Sequence, residues 1–160
     1  MHKVILSLIL IYAVGVFIIF PKWTIDDAFI YYRYAENLAN HGVLTWNIGE
    51  PVVEGYTGVA LPIILAGFIK LGFSPVEVSR LLGIGAYFLS LLFLFLIFKK
   101  LKVHEAISSI VLLLYASTPV LFTHATSGLD TMLFLAAILG SIYAFFLMRS
   151  VLFFFALCKP

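Results

Sequence analysis

Three aspartates have the residue type and the surroundings that chemistry would need. Asp26 and Asp27 are adjacent and precede a helical pattern, and Asp130 interrupts a stretch from residue 106 to residue 148 that carries no other Asp, Glu, Lys or Arg. A helix dipole stabilises ionised carboxylates at the helix N-terminus, and such a carboxylate suits a general base or a ligand for a hard metal ion. Asp is also a favoured helix cap, so the pair Asp26 and Asp27 is open to both interpretations.

Asp130 is equally open to two interpretations. It lies in the segment Thr126-Ser-Gly-Leu-Asp-Thr131, where Ser127 and Gly128 supply a turn. An ionisable residue at membrane depth indicates a functional site by default. The helix that follows the turn also needs a cap, which Asp provides well.

The paired aspartates belong to the long polar stretch of the chain, residues 23–56. Thr24 is predicted to cap a helix that lies along the membrane surface from Ile25 to about Asn40, and Gly42 is predicted to end it. Because short connectors are usual in small membrane proteins, we expect this long loop to carry the function.

The predicted surface helix has two different faces at helical spacing. One face is expected to rest on lipid or on the membrane spans, and it consists of Ala28, Tyr31, Ala35 and Leu38. The other is expected to be wetter, and it consists of Asp26, Arg33 and Asn37.

Aromatic residues are plentiful in this loop, which contains Tyr31, Tyr32, Tyr34, Trp46 and Tyr56. Aromatic rings can pack against the C–H surfaces of a sugar, and they also form the interfacial belt of ordinary membrane proteins. Taken alone, the aromatic content favours the belt.

The composition determines where the elements that position these residues must lie. Hydrophobic residues make up 63% of the 160-residue chain and charged residues 11%, whereas soluble domains carry about 25% charged residues. This excludes a soluble globular domain and a disordered chain. The net charge of +2 provides no broad basic face, so nucleic acid is not an expected partner. A single cysteine, Cys158, excludes an internal disulfide.

The sequence therefore predicts an all-α integral membrane protein, with residues 1–160 forming a single membrane domain. About four transmembrane helices are predicted from uncharged runs, over residues 4–21, 81–98, 106–125 and 131–148. Residues 22–80 form the intervening loop with its juxtamembrane helices, and residues 150–160 are expected to start a truncated further span. Residues 57–73 are apolar but contain glycines and a proline, so they either span the membrane or lie at its interface.

Two topologies follow from the ambiguity at residues 57–73. The distribution of Lys and Arg slightly prefers five spans with the N-terminus outside over four spans with the N-terminus inside. In the four-span topology the loop with Asp26 and Asp27 faces the same compartment as Asp130. In the five-span topology they face opposite compartments, so only four spans allow one site built from all three.

Four segments of the long loop occur in an order that resembles a known family. They are Asp26-Asp-Ala-Phe-Ile-Tyr-Tyr-Arg-Tyr-Ala-Glu-Asn-Leu38, His41-Gly42, Trp46-Asn-Ile-Gly-Glu-Pro51 and Glu54-Gly-Tyr-Thr57. The series resembles the first extracytoplasmic loop of GT-C glycosyltransferases, and it is most similar to the subgroup of the mycobacterial cell-wall arabinofuranosyltransferases. Protein O-mannosyltransferases and the lipid A aminoarabinose transferase are more distantly similar. The Ser-Gly-Leu-Asp130 segment resembles a later motif of the subgroup, in which the acidic residue is usually Glu.

The resemblance implies a multi-pass protein of the cytoplasmic (plasma) membrane that transfers a sugar from a polyprenyl-phosphate donor. The acceptor would be a hydroxyl of a glycan, a lipid or a protein on the outer face. It implies Asp26 and Asp27 as the catalytic residues. A carboxylate of this pair would either act as general base on the acceptor hydroxyl or help to hold a divalent cation, the implied cofactor, near the donor phosphate. Substrate-binding residues implied by the matched motifs are Arg33, Tyr31, Trp46, Glu54, Tyr56 and Asp130.

The family topology favours four spans, and it also implies that this chain corresponds to the N-terminal part of the family fold. We therefore expect little transferase activity from the isolated 160-residue chain. Arg33, Lys22 or a metal ion are the local candidates to offset the charge of the leaving phosphate. The alternative from another class is a small non-catalytic membrane protein that acts as a subunit or scaffold in a cell-envelope assembly.

Overall fold

A computed structural model describes the backbone of residues 2–19 and 23–157, and the side chains of residues 7–19 and 23–148. Lys22 and Cys158 lie outside the described residues, as do the end of the predicted first span and the last three residues of the predicted further span. The described chain is helical, without strands, and its helices are α1 His2–Ile19, α2 Ala28–His41, α3 Ala60–Lys70, α4 Pro75–Lys100, α5 Glu105–Ser117, α6 Pro119–Thr126 and α7 Thr131–Leu157.

Two helices are long and apolar enough to cross a membrane, α4 over Pro75–Lys100 and α7 over Thr131–Met148. A third candidate arises if α5 and α6, which meet at an angle of 52°, count as one bent span. The described apolar segments Ser7–Ile19 and Ala60–Lys70 are shorter than a span. The described residues thus support an integral membrane protein with two or three candidate spans.

The span predicted over residues 106–125 corresponds to two helices, because the chain bends at Pro119. Proline has no N–H to donate and its ring collides with the preceding turn, while the residue before it is driven out of the α conformation. Thr118 accordingly has an extended backbone with ψ 113°, and Pro119 occupies the first turn of α6. The same ring that ends α5 therefore starts α6.

The other predicted spans lie within longer helices. Residues 81–98 belong to α4, which begins earlier because Pro75 suits a first helical turn and Glu77 complements the helix dipole there. Residues 131–148 belong to α7, and this helix continues without a break through the start of the predicted further span to Leu157.

Helix α3 lies within the ambiguous segment 57–73 and is too short to span by itself. A rise of about 1.5 Å per residue makes its 11 residues about 16 Å long, against about 30 Å for the hydrocarbon core. Its buried residues Leu61 and Leu65 pack in one cluster with Tyr31 and Ala35 of α2. Residues 57–73 therefore support α2, which matches the interfacial interpretation.

Helix α2 begins later than predicted and ends where predicted. Its first residue is Ala28, because residues 25–27 form a turn in which the N–H of Ala28 donates to the carbonyl of Ile25. Thr24 is therefore not its cap. Gly42 adopts the left-handed conformation, φ 74°, and its N–H donates to Leu38, which ends the helix.

Three clusters of buried side chains hold the helices together. The first joins α2, α3 and the start of α4, the second joins α1, α4, α6 and α7, and the third joins α1, α4 and α5. The first cluster reaches the α6–α7 turn, since Leu129 packs against it. The backbone N–H of Ile25 also donates to the carbonyl of Ser127 at 3.0 Å. The long loop and this turn are thus in direct contact.

Candidate active site

Three segments that are distant in sequence enclose one cavity of about 390 Å³, here called the acid cavity. Its walls come from the start of α2, from the segment after Glu54 and from the start of α7, namely Asp27, Ile30, Tyr31, Gly55, Thr57, Leu129, Asp130 and Thr131. Two of the three predicted aspartates therefore share a cavity. The loop and the Ser-Gly-Leu-Asp turn converge as a single site requires.

Asp27 occupies the cap position of α2, but its side chain makes no capping hydrogen bond. It is exposed and lines the acid cavity. Simple helix capping, which the sequence left open, does not describe this side chain. Its carboxylate is available to a ligand.

Asp26 is oriented differently from its neighbour. Its Oδ1 accepts a hydrogen bond of 3.2 Å from the backbone N–H of Asp27, and it is not among the residues that line the acid cavity. The pair that shares the cavity is thus Asp27 with Asp130, rather than the adjacent pair predicted to bind a metal ion.

Asp130 is half-buried and lies against Gly58, directly after the Glu54-Gly-Tyr-Thr57 motif. A Cβ atom added to Gly58 would collide with Oδ2 of Asp130. The backbone carbonyl of Asp130 accepts from the N–H of Phe134 at 2.9 Å, so the residue also starts α7. The two interpretations offered by the sequence therefore coexist: the backbone begins a helix and the side chain faces the cavity.

Tyr31 ties the Gly-Tyr-Thr segment to α2. Its ring is buried under the helix, and its hydroxyl accepts a hydrogen bond of 3.1 Å from the N–H of Thr57. This contact fixes the wall that carries Gly55 and Thr57. The predicted substrate-binding residue Tyr31 thus lines the cavity and also shapes it.

A second cavity of about 280 Å³, here called the aromatic cavity, adjoins the acid cavity. It is lined by Ile30, Tyr34, Trp46, Asn47, Glu50, Pro51, Val53 and Gly55. Ile30 and Gly55 line both cavities, so they form the shared wall.

Trp46 is held by its backbone while its ring stays 41% exposed. Its carbonyl accepts one hydrogen bond from Nε of Arg33 at 3.2 Å and another from Nδ2 of Asn37 at 2.9 Å. The prediction that Asn37 faces water is wrong, because it is buried and its Nδ2 also donates to the carbonyl of Thr45. An amide five residues before the helix-ending Gly42 is a signal that sequence reasoning passed over.

Tyr34 is a further residue of the site that the sequence did not single out from the other tyrosines. Its hydroxyl donates to the carbonyl of Val53 at 2.6 Å, and its ring lies 5.9 Å from that of Trp46. Tyr56 packs its edge against Tyr34 at 4.9 Å and so supports the aromatic cavity from behind. Glu54 is exposed and belongs to neither lining.

Positive charge is scarce around the acid cavity. Among the described residues that line it there is no Lys or Arg, since Arg33 is exposed and engaged with Trp46. The described part of the chain also contains no group of three or more His, Cys, Asp or Glu side chains placed to hold a metal ion. Two carboxylates fit only a cation such as Mg²⁺, which takes its remaining ligands from water and substrate phosphate.

Two phenols beside the cavities stay neutral near physiological pH. Burial raises the pKa of Tyr32, although its hydrogen bond to Ser79 and the charge of Arg80 act in the opposite direction. Desolvation raises the pKa of Tyr56, and the charge of Glu54 adds to this effect.

Comparison of the chain with family models, with curated proteins and with solved structures gave no match.

Proposed function

We propose that this chain is the N-terminal part of a GT-C type glycosyltransferase that transfers a sugar from a polyprenyl-phosphate donor to a hydroxyl acceptor. The observation that carries the proposal is the acid cavity, which unites residues from three of the motifs behind the family resemblance: Asp27, Gly55 and Thr57, and Asp130. Unrelated loops of a membrane scaffold have no reason to bring these motifs together.

The proposed topology has four spans with the N-terminus in the cytoplasm. In it α1, α4, the bent pair α5 and α6, and α7 cross the membrane. The long loop and the α6–α7 turn then share the outer face, in keeping with the contact between Ile25 and Ser127. Lys99, Lys100 and Lys102 fall on the cytoplasmic side, which agrees with the positive-inside rule.

In the proposed mechanism Asp27 is the general base. A hydroxyl is a poor nucleophile until a positioned base takes its proton, and the Asp27 carboxylate is exposed and makes no capping bond. As the acceptor oxygen bonds to the anomeric carbon, the bond from that carbon to the phosphate oxygen breaks. The phosphate leaves as an anion and Asp27 holds the acceptor proton. Asp130, across the same cavity, orients the reacting groups.

A divalent cation is proposed to accompany the donor. Asp130 would hold it together with the carboxylate oxygen of Asp27 that does not take the acceptor proton, and when bound it would offset the negative charge of the leaving phosphate. The absence of Lys and Arg among the described residues of the cavity wall supports this role for an added cation.

The aromatic cavity is proposed to receive the acceptor. Trp46 and Tyr34 offer ring faces to the C–H surfaces of a sugar, and Asn47 with Glu50 offers amide and carboxylate groups to its hydroxyls. The wall shared through Ile30 and Gly55 brings an acceptor bound there next to the carboxylates.

The test measures transfer from radiolabelled polyprenyl-phosphate sugars in membranes of the cells that make the protein, so that every natural partner is present. Removal of a general base is expected to cost about a hundredfold or more in rate, so Asp27→Asn should lose transfer to that extent. Asp130→Asn should lose less, and Asp26→Asn less again. Glu36→Gln, an exposed carboxylate of α2 outside both cavity linings, is the matched control.

The same membranes distinguish the non-catalytic alternative. If deletion of the chain abolishes transfer while Asp27→Asn and Asp130→Asn both keep it, the chain is a subunit or scaffold. If deletion leaves transfer of every donor sugar unchanged, the glycosyltransferase proposal is wrong.

A further inference from the structure

Arg80 and Tyr32 belong to neither cavity lining, yet they connect the segments that carry the two cavity carboxylates. Nη2 of Arg80, near the start of α4, donates to Oγ1 of Thr24 at 3.1 Å. Thr24 immediately precedes Ile25, whose N–H donates to the carbonyl of Ser127. Asp27 follows Ile25 by two residues, so a shift of Thr24 displaces this carboxylate.

Tyr32 makes a second connection from α2 to the same part of α4. Its hydroxyl shares a buried hydrogen bond of 2.7 Å with Oγ of Ser79. Because the Ser79 hydroxyl donates its hydrogen to the carbonyl of Val76, Tyr32 is the donor in this bond. The Tyr32 side chain is therefore fixed in one orientation.

The hydroxyl of Tyr32 also lies against the α6–α7 turn. Gly128 has φ 90°, and a Cβ atom there would collide with the Tyr32 hydroxyl and approach Ala28 Cβ to 3.0 Å and Thr24 Cγ2 to 3.3 Å. Asp130 follows Gly128 by two residues. The turn that presents Asp130 is thus in contact with Tyr32 and with Thr24, the residue that Arg80 binds.

The geometry points to Arg80 and Tyr32 as positioning residues that set the separation of Asp27 and Asp130. The bonds from Arg80 to Thr24, from Tyr32 to Ser79 and from Ile25 to Ser127 form one clasp around the start of α4. This positioning role rests on the proposed function, because the clasp acts through the two carboxylates. The family resemblance directed attention to Arg33 instead, which donates to the backbone carbonyl of Trp46.

Arg80 is half-buried, and a role in packing alone would not explain a charged residue at this position. Nε of Arg80 is buried without a hydrogen-bond partner, and burying an unpaired polar group costs free energy that an apolar residue would avoid. The bond from Nη2 to Thr24 is the contact that an apolar residue could not make.

The test measures the distance across the acid cavity without any sugar. Cysteines replace Ile30 of α2 and Thr131 of α7, which both line the acid cavity. In the full chain carrying Cys158→Ser, bis-methanethiosulfonate reagents of graded length cross-link them in membranes. Thr24→Val keeps the shape of the side chain and removes the acceptor of the Arg80 bond. The loss of a positioning contact is expected to reduce cross-linking by the shortest effective reagent about fivefold and to shift the preference to longer reagents.

Arg80→Gln and Tyr32→Phe should produce the same shift, and Lys70→Gln, an exposed cation of α3, should produce none. The melting temperature of each purified variant is measured in parallel. If Thr24→Val and Tyr32→Phe lower the melting temperature but leave the preferred reagent length unchanged, the clasp only stabilises the fold and the proposal is overturned. If Arg80→Gln does not fold, Thr24→Val and Tyr32→Phe decide the question, because each preserves volume.

The outcome is separable from that of the proposed function. If the variants shift the preferred reagent length while wild-type membranes transfer no sugar, the clasp is supported and the glycosyltransferase proposal is wrong. Transfer that is lost in Asp27→Asn but kept at full rate and with an unchanged pH profile in Thr24→Val would retain the enzyme and overturn the clasp.

Discussion

The acid cavity and the aromatic cavity share a wall but are built in different ways. The acid cavity takes residues from three distant segments, and its carboxylates meet only because the long loop contacts the α6–α7 turn. The aromatic cavity is local, since all its residues lie between Ile30 and Gly55. The acid cavity thus depends on contacts between distant segments, whereas the aromatic cavity beside it is made by one folded loop.

One helix serves both cavities. Asp27, Ile30 and Tyr31 of α2 and its preceding turn face the acid cavity, and Ile30 with Tyr34 faces the aromatic cavity. Residues three and four apart lie on the same side of a helix, so consecutive turns of α2 face the two adjacent cavities. Damage confined to one cavity should therefore change one kinetic parameter and not the other.

The largest expected effect concerns the side of the membrane on which the two cavities open. Ile48 lies beside the aromatic cavity and Thr131 lines the acid cavity, and both are exposed. Single cysteines at these positions, placed in a chain that carries Cys158→Ser, are expected to react with an impermeant thiol reagent in intact cells. A cysteine at Lys102 should react only after the membrane is opened. Reaction at one cavity but not at the other would break the comparison, because the two spaces could not serve one reaction.

A methyl group at Gly58 is the sharpest way to disturb the acid cavity alone. Gly58→Ala drives a Cβ atom into the Asp130 carboxylate, and misplacement of a reacting group by about 1 Å is expected to reduce kcat about tenfold to a hundredfold. The KM for the acceptor should stay close to its original value. Gly67→Ala is the control, since a Cβ there meets open space. Equal losses in both glycine variants would show that the Asp130 contact is unimportant.

Loss of the Trp46 ring should affect the aromatic cavity alone. Trp46→Leu removes the ring face, and an aromatic contact of about 0.5–1.5 kcal/mol corresponds to an acceptor KM raised roughly twofold to thirteenfold. The rate at saturating acceptor should change little. Trp23→Phe is matched to it, since Trp23 is 45% exposed and lines neither cavity. A fall in kcat without a change in acceptor KM would assign Trp46 to the chemistry instead.

The smallest expected effect is on stability. Tyr32→Phe removes one buried hydrogen bond and is expected to lower the free energy of unfolding by about 1 kcal/mol. Because burial raises the pKa of Tyr32 in the folded protein, the phenol ionises more readily in the unfolded chain. Its contribution is therefore present below about pH 10 and is lost as the pH rises further.

Melting temperatures of the purified protein at about pH 8 and about pH 11 check this prediction. Between the two pH values, the melting temperature of the wild-type protein should fall further than that of Tyr32→Phe. An identical loss in both would show that Tyr32 ionises equally in the folded and unfolded states.

Local features of α2 and the loop were predictable because they depend on nearby residues. The glycine that ends α2 has the expected left-handed conformation, since Gly42 has no Cβ to oppose it. The buried stripe of Ala28, Tyr31 and Ala35 also follows from helical spacing. Thr24 was misjudged as a cap because its partner Arg80 is far away in sequence. Asn37 was misjudged as water-facing because its acceptors belong to a loop that folds back over α2.

The sequence by itself determined the helical character of the chain and its membrane class, because hydropathy depends on residue types alone. It also identified Asp27 and Asp130 as candidates. Only the tertiary structure decided that these two carboxylates, and not Asp26, share a cavity. It also decided that Arg80 donates to Thr24, whereas Arg33 donates to Trp46. The reason is physical: side-chain separation across a site depends on contacts between helices, and no local pattern of residue types encodes a distance between segments about a hundred residues apart.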